Sequence, residues 1–420
     1  METRIKESIN NPEQLEKLYR ADKKIFEKSF FNIYHEIADS KIAEFWKARF
    51  EYKNQGEPKI RINKSDVLFL IIACLITGFL IKIPQIFDIG LDDYVFYERN
   101  AGLIVLLGLS AYLFLTKNQI NYKQLAASIV IFGISVVYIN LLPSNRESDS
   151  INLAYLHLPF LLWCLFGLIF IDFDMKDKYR RIDFIKYNGD MAILASIILI
   201  AGGILTFITI GLFSVIDLEI EKFYFDYIVI IGLVSSPIVA TYIVKNFPAV
   251  TNKIAPIIAN IFSPLVLITL IVYLISILFT GKDPYNDRDF LIVFNFMLLG
   301  VMAIIFFSVS GTSVNKKQRF SELILFTLSI ITLIVDLIAL SAILYRLGDE
   351  YGFTPNRTAV LGLNLLIFVN LILIMIDLYK VGFKGKEIKT VELTIAGFLP
   401  IYTVWTFLVT FGFPLIFGMK

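Results

Sequence analysis

The chain has 420 residues, 57% of them hydrophobic and 18% charged, with a mean hydropathy of +0.70. Soluble domains average about 45–50% apolar and about 25% charged, so a soluble class is excluded, and a net charge of +2 makes no electrostatic case for a nucleic-acid partner. Cys74, Cys164, His35 and His157, the whole complement of these residues, stand without metal-type or redox-type spacing, so no metal centre and no cofactor is expected.

The first 65 residues are too charged for a signal core, so the first apolar span is expected to direct insertion. Within them, residues 12–50 read as an amphipathic helical arm. Asn11 and Pro12 form a helix start. Leu15, Leu18, Tyr19, Phe26, Phe30, Ile33 and Ile37 then recur at helical spacing, and Ile42, Phe45, Trp46 and Phe50 continue the pattern. Such an arm lies on a membrane surface, docks a cytoplasmic protein partner, or packs beneath the membrane core. None of it looks large enough to fold alone. Gly56 and Pro58 end it.

About eleven apolar segments long enough to cross a lipid bilayer follow: 66–86, 100–116, 124–142, 152–171, 189–216, 223–244, 254–280, 289–310, 321–345, 357–379 and 391–416. The expected fold class is an all-α polytopic membrane helix bundle, residues 66–420, with the arm as an N-terminal cytoplasmic appendage. The first span is the weakest, since Lys82 and Pro84 fall near its outer end. Charge alternates between the loops. Lys117 and Lys123, Lys176 to Lys186, Lys245 and Lys253, Lys316 to Arg319, and Lys380 to Lys389 are basic. The intervening loops are acidic or mixed, although they include Arg99, Arg146 and Lys282. Lysine and arginine collect on the cytoplasmic side, which puts the N-terminus inside and the C-terminus outside. The basic loops read as topology signals and contacts to anionic lipid.

Asp336 is the clearest ionisable residue deep in an apolar run, about 14 Å below the end of its span at about 1.5 Å per residue. Ser329 and Thr332 share its helix face. A carboxylate there needs a partner or a wet cavity; it is either a proton or cation site or a hydrogen-bonded contact between helices. Asn364 lies at comparable depth on the next span, within hydrogen-bonding reach of Asp336, whereas Asn370 falls on another face towards a different helix. Asp377 reads as an interfacial charge and His157 as an interfacial anchor. The hairpin between these spans carries Arg346, Asp349, Glu350, Tyr351, Gly352, Thr354, Pro355, Asn356 and Arg357. It is either an ordered outer cap or a surface meeting an anion through its arginines, with Thr354 or Asn356 capping the next helix. Gly202, Gly203, Gly211, Pro237, Pro256 and Pro264 mark possible breaks in the fifth to seventh spans. Broken helices bind solutes in transporters, although neighbouring helices also tolerate them as plain architecture.

The stretch LYRLGDEYGFTPNRTAVLGLNLLIF, with Tyr351, Gly352, Thr354 and Arg357, resembles the YG-x-T-x-x-R signature of a family of bacterial multi-pass proteins, number forty-one fifty-three among the domains of unknown function. The similarity extends from LEKLYRADKKIF and FWKARF to the closing YTVWTFLVTFGFPLIF. It implies a bacterial inner-membrane location and a lean towards transport, since some members are labelled permeases or inner-membrane proteins, and it carries over no catalytic residue. The leading expectation is a permease-like transporter of a small solute or ion, with its path between the fifth to seventh spans and the ninth–tenth pair. The alternative is a non-transporting scaffold or sensor that docks a partner through the arm. An intramembrane enzyme would need polar groups clustered on one cavity, and the sequence scatters them.

Overall fold

The computed structural model describes the chain except residues 57–63, 88–94, 118, 146, 215–218, 248–261, 273, 276–284, 286–287, 312–318, 349–351 and 420. Among the described residues there are helices and no strands. The chain divides into two compact units, Met1–Asn63 and Lys64–Lys420.

The first unit comprises α1 (Glu2–Glu7), α2 (Pro12–Ala21), α3 (Lys23–Ile37) and α4 (Lys41–Gly56). The side chains of Asn11 and Asp22 cap α2 and α3, accepting from the backbone NH of Gln14 at 3.2 Å and of Ile25 at 3.0 Å. The apolar stripes then close on one another. Leu15, Tyr19, Phe26, Phe30, Ile33, Ala43, Trp46 and Phe50 form one core, joined by Ile5 from α1. The arm thus carries a packed core of its own within residues 1–63. The sequence pattern showed each stripe but not that the stripes meet, and it left out α1. Phe45 remains exposed. Glu16 joins α2 to α4, accepting from Arg20 at 2.9 Å and Arg49 at 3.1 Å, and Lys6 pairs with Glu36 to join α1 to α3.

In the second unit, nine helices among the described residues are long and apolar enough to cross a membrane. These are α5 (Lys64–Ile81), α7 (Phe96–Leu115), α8 (Tyr122–Leu141), α9 (Asp149–Phe170), α10 (Lys178–Ser214, apolar enough over Lys178–Phe207), α11 (Glu221–Asn246), α14 (Arg319–Leu347), α15 (Pro355–Lys384) and α16 (Lys389–Ile416). The short α6 (Ile83–Ile86) follows α5. Two shorter apolar helical stretches, α12 (Phe262–Val272) and Met297–Val309 within α13 (Arg288–Gly311), lie in the expected seventh and eighth segments. Lys82 ends the first span: its side chain is buried, with the ammonium 4.7 Å from the Tyr227 ring of α11.

Two large apolar clusters hold this unit. One draws on α5, α7, α8, α9 and α11, the other on α12 to α16. The opening turns of α10 serve both, with Phe184 and Tyr187 in the first and Ile185 in the second. These turns, Lys178 to Asn188, were expected to be loop. Their basic residues are engaged within the protein: Arg181 donates to the Ala396 carbonyl at 3.1 Å, and Lys186 lies 3.5 Å from Glu392. The Gly202–Gly203 pair and Gly211 do not break α10, which is continuous to Ser214. In hydrocarbon a broken ladder has no water to satisfy it. Pro237 likewise sits inside α11, and Pro264 in the first turn of α12, whereas Pro256 and Asn260 lie outside the described residues.

Contacts group the loop ends. Lys117 bonds to Asp172 at 2.6 Å and Lys245 to the Thr116 carbonyl at 3.0 Å, so the α7–α8, α9–α10 and post-α11 ends meet. Arg181 and Lys186 bring the start of α16 to the same end. At the other end, Ser150 donates to the Gly418 carbonyl, while Ala359 packs with Leu153 and Phe413. Among the described residues, the basic groups Lys117, Arg181, Lys186 and Lys245 thus gather at one end, and the ends of the hairpin and residue 418 at the other.

Hydrogen bonding from Arg20 to Glu16 and from Lys6 to Glu36 holds both carboxyls below the usual carboxylate range, outweighing desolvation. Depressed carboxyls stabilise the folded arm above their unfolded pKa, near 4.3, and the contribution fades as pH falls through the folded values. Amide protection over residues 12–50, taken relative to the intrinsic exchange rate at each pH, will therefore fall on acidification below about pH 4.3, and less so in Glu16→Gln, which lacks one titrating group.

Candidate functional site

The polar side chains of the second half collect where α13, α14, α15 and α16 pack together. On α14, Ser329, Thr332 and Asp336 occupy one face, each 0% exposed. The two hydroxyls turn back on their own helix, Ser329 to the Phe326 carbonyl and Thr332 to the Leu328 carbonyl, both at 2.7 Å. Ionised, Asp336 has no proton to give and cannot satisfy itself in this way. Both its carboxylate oxygens are buried without a donor.

α15 begins with Thr354 as cap, its hydroxyl accepting from the Arg357 NH at 3.4 Å, and Pro355 at the first position. Its buried face carries Asn364, Asn370 and Asp377. Asn364 donates to Asn295 Oδ1 of α13 at 2.9 Å, and Asn370 to the Tyr402 hydroxyl of α16 at 3.1 Å. The Oδ1 atoms of Asn364 and Asn370 receive no donor. The expected Asp336–Asn364 hydrogen bond is therefore absent: Asn364 donates to α13 instead, and neither Asp336 oxygen receives a donor. Tyr402 lies close enough to Asp336 for the two to interact electrostatically.

Asp377, expected at the interface, is 8% exposed. It accepts from Lys380 and from Thr394 of α16, both at 2.6 Å, so it is paired, with its neighbours compensating burial. A shallow, half-open crevice lies close by, between the opening turns of α10, α13 and α16, lined by Ile182, Ile185, Phe306, Val309, Glu392 and Ile395.

In the outer hairpin, Arg346 Nε donates to the Tyr285 carbonyl at 2.7 Å. Arg357 donates to the Arg346 carbonyl and, at 3.5 Å, to that of Gly352. Gly352 has φ +53°, a left-handed conformation that glycine adopts at little cost. These arginines hold backbone carbonyls, which is the work of a structural cap. Tyr351, Asp349 and Glu350 lie outside the described residues. His157 Nδ1 is 2.9 Å from the Leu153 carbonyl, one turn back on α9.

The polar groups brought together are thus on the eighth to eleventh predicted spans, whereas the expected path also drew on the fifth to seventh. Tyr402 and Asn295 were missed. Each is a single polar residue in an apolar run, and such isolated polar positions were the available signal. Arg99, counted as a loop charge, sits in the first turn of α7 at 2% exposure. It donates to the Tyr155 hydroxyl at 3.1 Å, the Asn140 carbonyl at 3.2 Å, and the Leu142 carbonyl and Ser144 hydroxyl at 2.9 Å. Beside it Asn100 and Asn140 exchange amide hydrogen bonds at 3.0 and 2.9 Å. This network joins α7, α8 and α9.

No family model matches the sequence, no curated protein matches it, and no solved structure matches the fold.

Arg99→Leu strands two backbone carbonyls at about 1–3 kcal/mol each. It will lower stability by about 3 kcal/mol or more, read as a drop in the melting midpoint of purified protein. Arg99→Lys will recover only part, since one ammonium cannot span the guanidinium's fork of acceptors.

Proposed function

We propose that this chain is a multi-pass membrane protein of permease type, moving a small solute or ion, in which Asp336 carries the charge that couples movement to a gradient. The observation that supports the reading is the fully buried Asp336 carboxylate, without a donor, in the middle of a membrane-spanning helix. An ionised carboxylate in hydrocarbon costs several kcal/mol, and such residues mark ion or proton paths. A group with so weak a claim on protein partners is free to exchange what neutralises it. The neighbouring Asn370–Tyr402 and Asn364–Asn295 pairs extend the polar seam along α15, with the paired Asp377 towards the basic end.

In this reading the chain crosses the bilayer about eleven times. Its basic end is cytoplasmic by the lysine and arginine bias, so the arm is inside and residue 418 outside. The bacterial inner-membrane placement rests on the resemblance around Tyr351 to Arg357. A second reading, a scaffold or sensor docking a cytoplasmic partner through residues 12–50, draws support from the arm's own closed core.

Two labelling experiments test this, in protein carrying Cys74→Ala and Cys164→Ala. For sidedness, Lys176→Cys will react with an impermeant thiol reagent only from the cytoplasmic face and Phe353→Cys only from the outer face. Reaction of both from one face ends the topology. For the path, Asp336→Cys will react with a small impermeant thiol reagent from at least one face. If folded protein stays unlabelled from both, Asp336 is a contact between helices and the permease reading fails.

A further inference from the structure

Asp336 is set apart from the bases of the chain's second half. Across the seventh to eleventh expected segments Arg357 is the one lysine, arginine or histidine, and it donates to the Arg346 and Gly352 carbonyls. The bases at the other ends of α14 and α15 are engaged as well, Arg346 with the Tyr285 carbonyl and Lys380 with Asp377. The helices packed on α14 bring no titratable side chain to its middle. There is none in α12 over Phe262–Val272, none in α13 beyond Asp289, and none in α15 from Thr358 to Ile376. From α16, Tyr402 lies within electrostatic range of Asp336, and a phenol carries no charge at neutral pH.

A carboxylate that is 0% exposed and receives no donor can lose its charge in hydrocarbon to an ion pair, a metal ion or a proton. The first is closed, since no base faces it. The second lacks a ligand set. Asn364 turns to Asn295 of α13 and Asn370 to Tyr402 of α16, and among the described residues no three His, Cys, Asp or Glu side chains gather as a metal site. A proton needs no ligand set. It adds to one carboxylate oxygen, takes the side chain from one negative charge to neutral, and breaks no other bond. A buried polar group without a partner costs far less neutral than ionised, so a carboxyl so placed neutralises itself.

Asp377 shows the contrast on the next helix, where Lys380 and Thr394 both donate to the carboxylate at 2.6 Å. Asp336 has no such clamp on its charged form. It ionises when water reaches it and regains its proton when water leaves.

We propose that the ion carried by Asp336 is a proton, bound while the seam between α14 and α15 is dry and released when that seam opens to water. The inference rests on Asp336 being the charge-carrying group of the permease reading and names its coupling ion.

The test is infrared spectroscopy of purified full-length protein in lipid bilayers at neutral pH, reading the C=O stretch that a protonated carboxyl shows and a carboxylate does not. The difference between wild type and Asp336→Asn will contain one such band, and transfer to heavy water will shift it. Asp336→Glu, which keeps the acid, will displace the same band, so the assignment does not depend on Asp336→Asn folding. If neither variant changes this region of the spectrum, Asp336 is ionised and the proposal is overturned. A band that heavy water leaves unmoved means a proton that never leaves, which overturns it equally. The outcome is separable from the thiol experiment. An exchanging band with no thiol reaction at position 336 supports the proton site but ends the permease reading. Thiol reaction with no carboxyl band keeps that reading and overturns the proton.

Discussion

A polar atom buried in hydrocarbon can find a partner only within the protein, and the membrane unit is arranged around that constraint. Serine and threonine hydroxyls turn back on their own helices. Arg99 is covered by backbone carbonyls and hydroxyls from two neighbouring helices. Asp377 is held by Lys380 and Thr394. Against this background the donor-less oxygens of Asp336, Asn364 and Asn370 are the place where the pattern lapses. A lapse at the centre of a well-packed seam is where function is most economically sought.

The two apolar clusters give that seam its surroundings. The cluster of α5, α7, α8, α9 and α11 is pinned by the Arg99 network at one end and by the Asp172 contacts at the other. The cluster of α12 to α16 contains the polar seam. The opening turns of α10, with Phe184 and Tyr187 on one side and Ile185 on the other, couple the two. Any relative movement of the clusters has to pass through those turns, and Arg181 and Lys186 tether them to α16.

Much of the architecture was legible in the sequence because the bilayer imposes it. Runs of apolar residues mark helices, and every described spanning helix falls within or overlaps a segment identified by hydropathy. Asp336, Asn364 and Asn370 stood out because a polar residue in such a run has few innocent explanations. Their partners did not stand out. Asn364 reaches Asn295 across 69 positions and Asn370 reaches Tyr402 across 32, separations that periodicity cannot register. For the same reason Asn364 was assigned to Asp336, its neighbour across a short hairpin. The arm shows the complementary limit: spacing identified each amphipathic stripe, but whether a stripe meets lipid, a partner or its sister helices depends on turn geometry at Asp22 and Ser40 that the apolar pattern does not encode.

The bond from Tyr138 to the Thr410 carbonyl at 2.7 Å spans 272 positions, and that from Ser150 to the Gly418 carbonyl spans 268. α8 and α9 are synthesised long before α16, so both sit in the bilayer with these contacts open while most of the chain is still being made. The first-made cluster is thus unfinished through much of translation, and its completion waits on the arrival of α16. During that interval the insertion machinery, or α16's temporary substitute among other helices, has to shield the exposed face. Slow translation of the segment 311–388 would lengthen the chain's most vulnerable period without altering a single native contact.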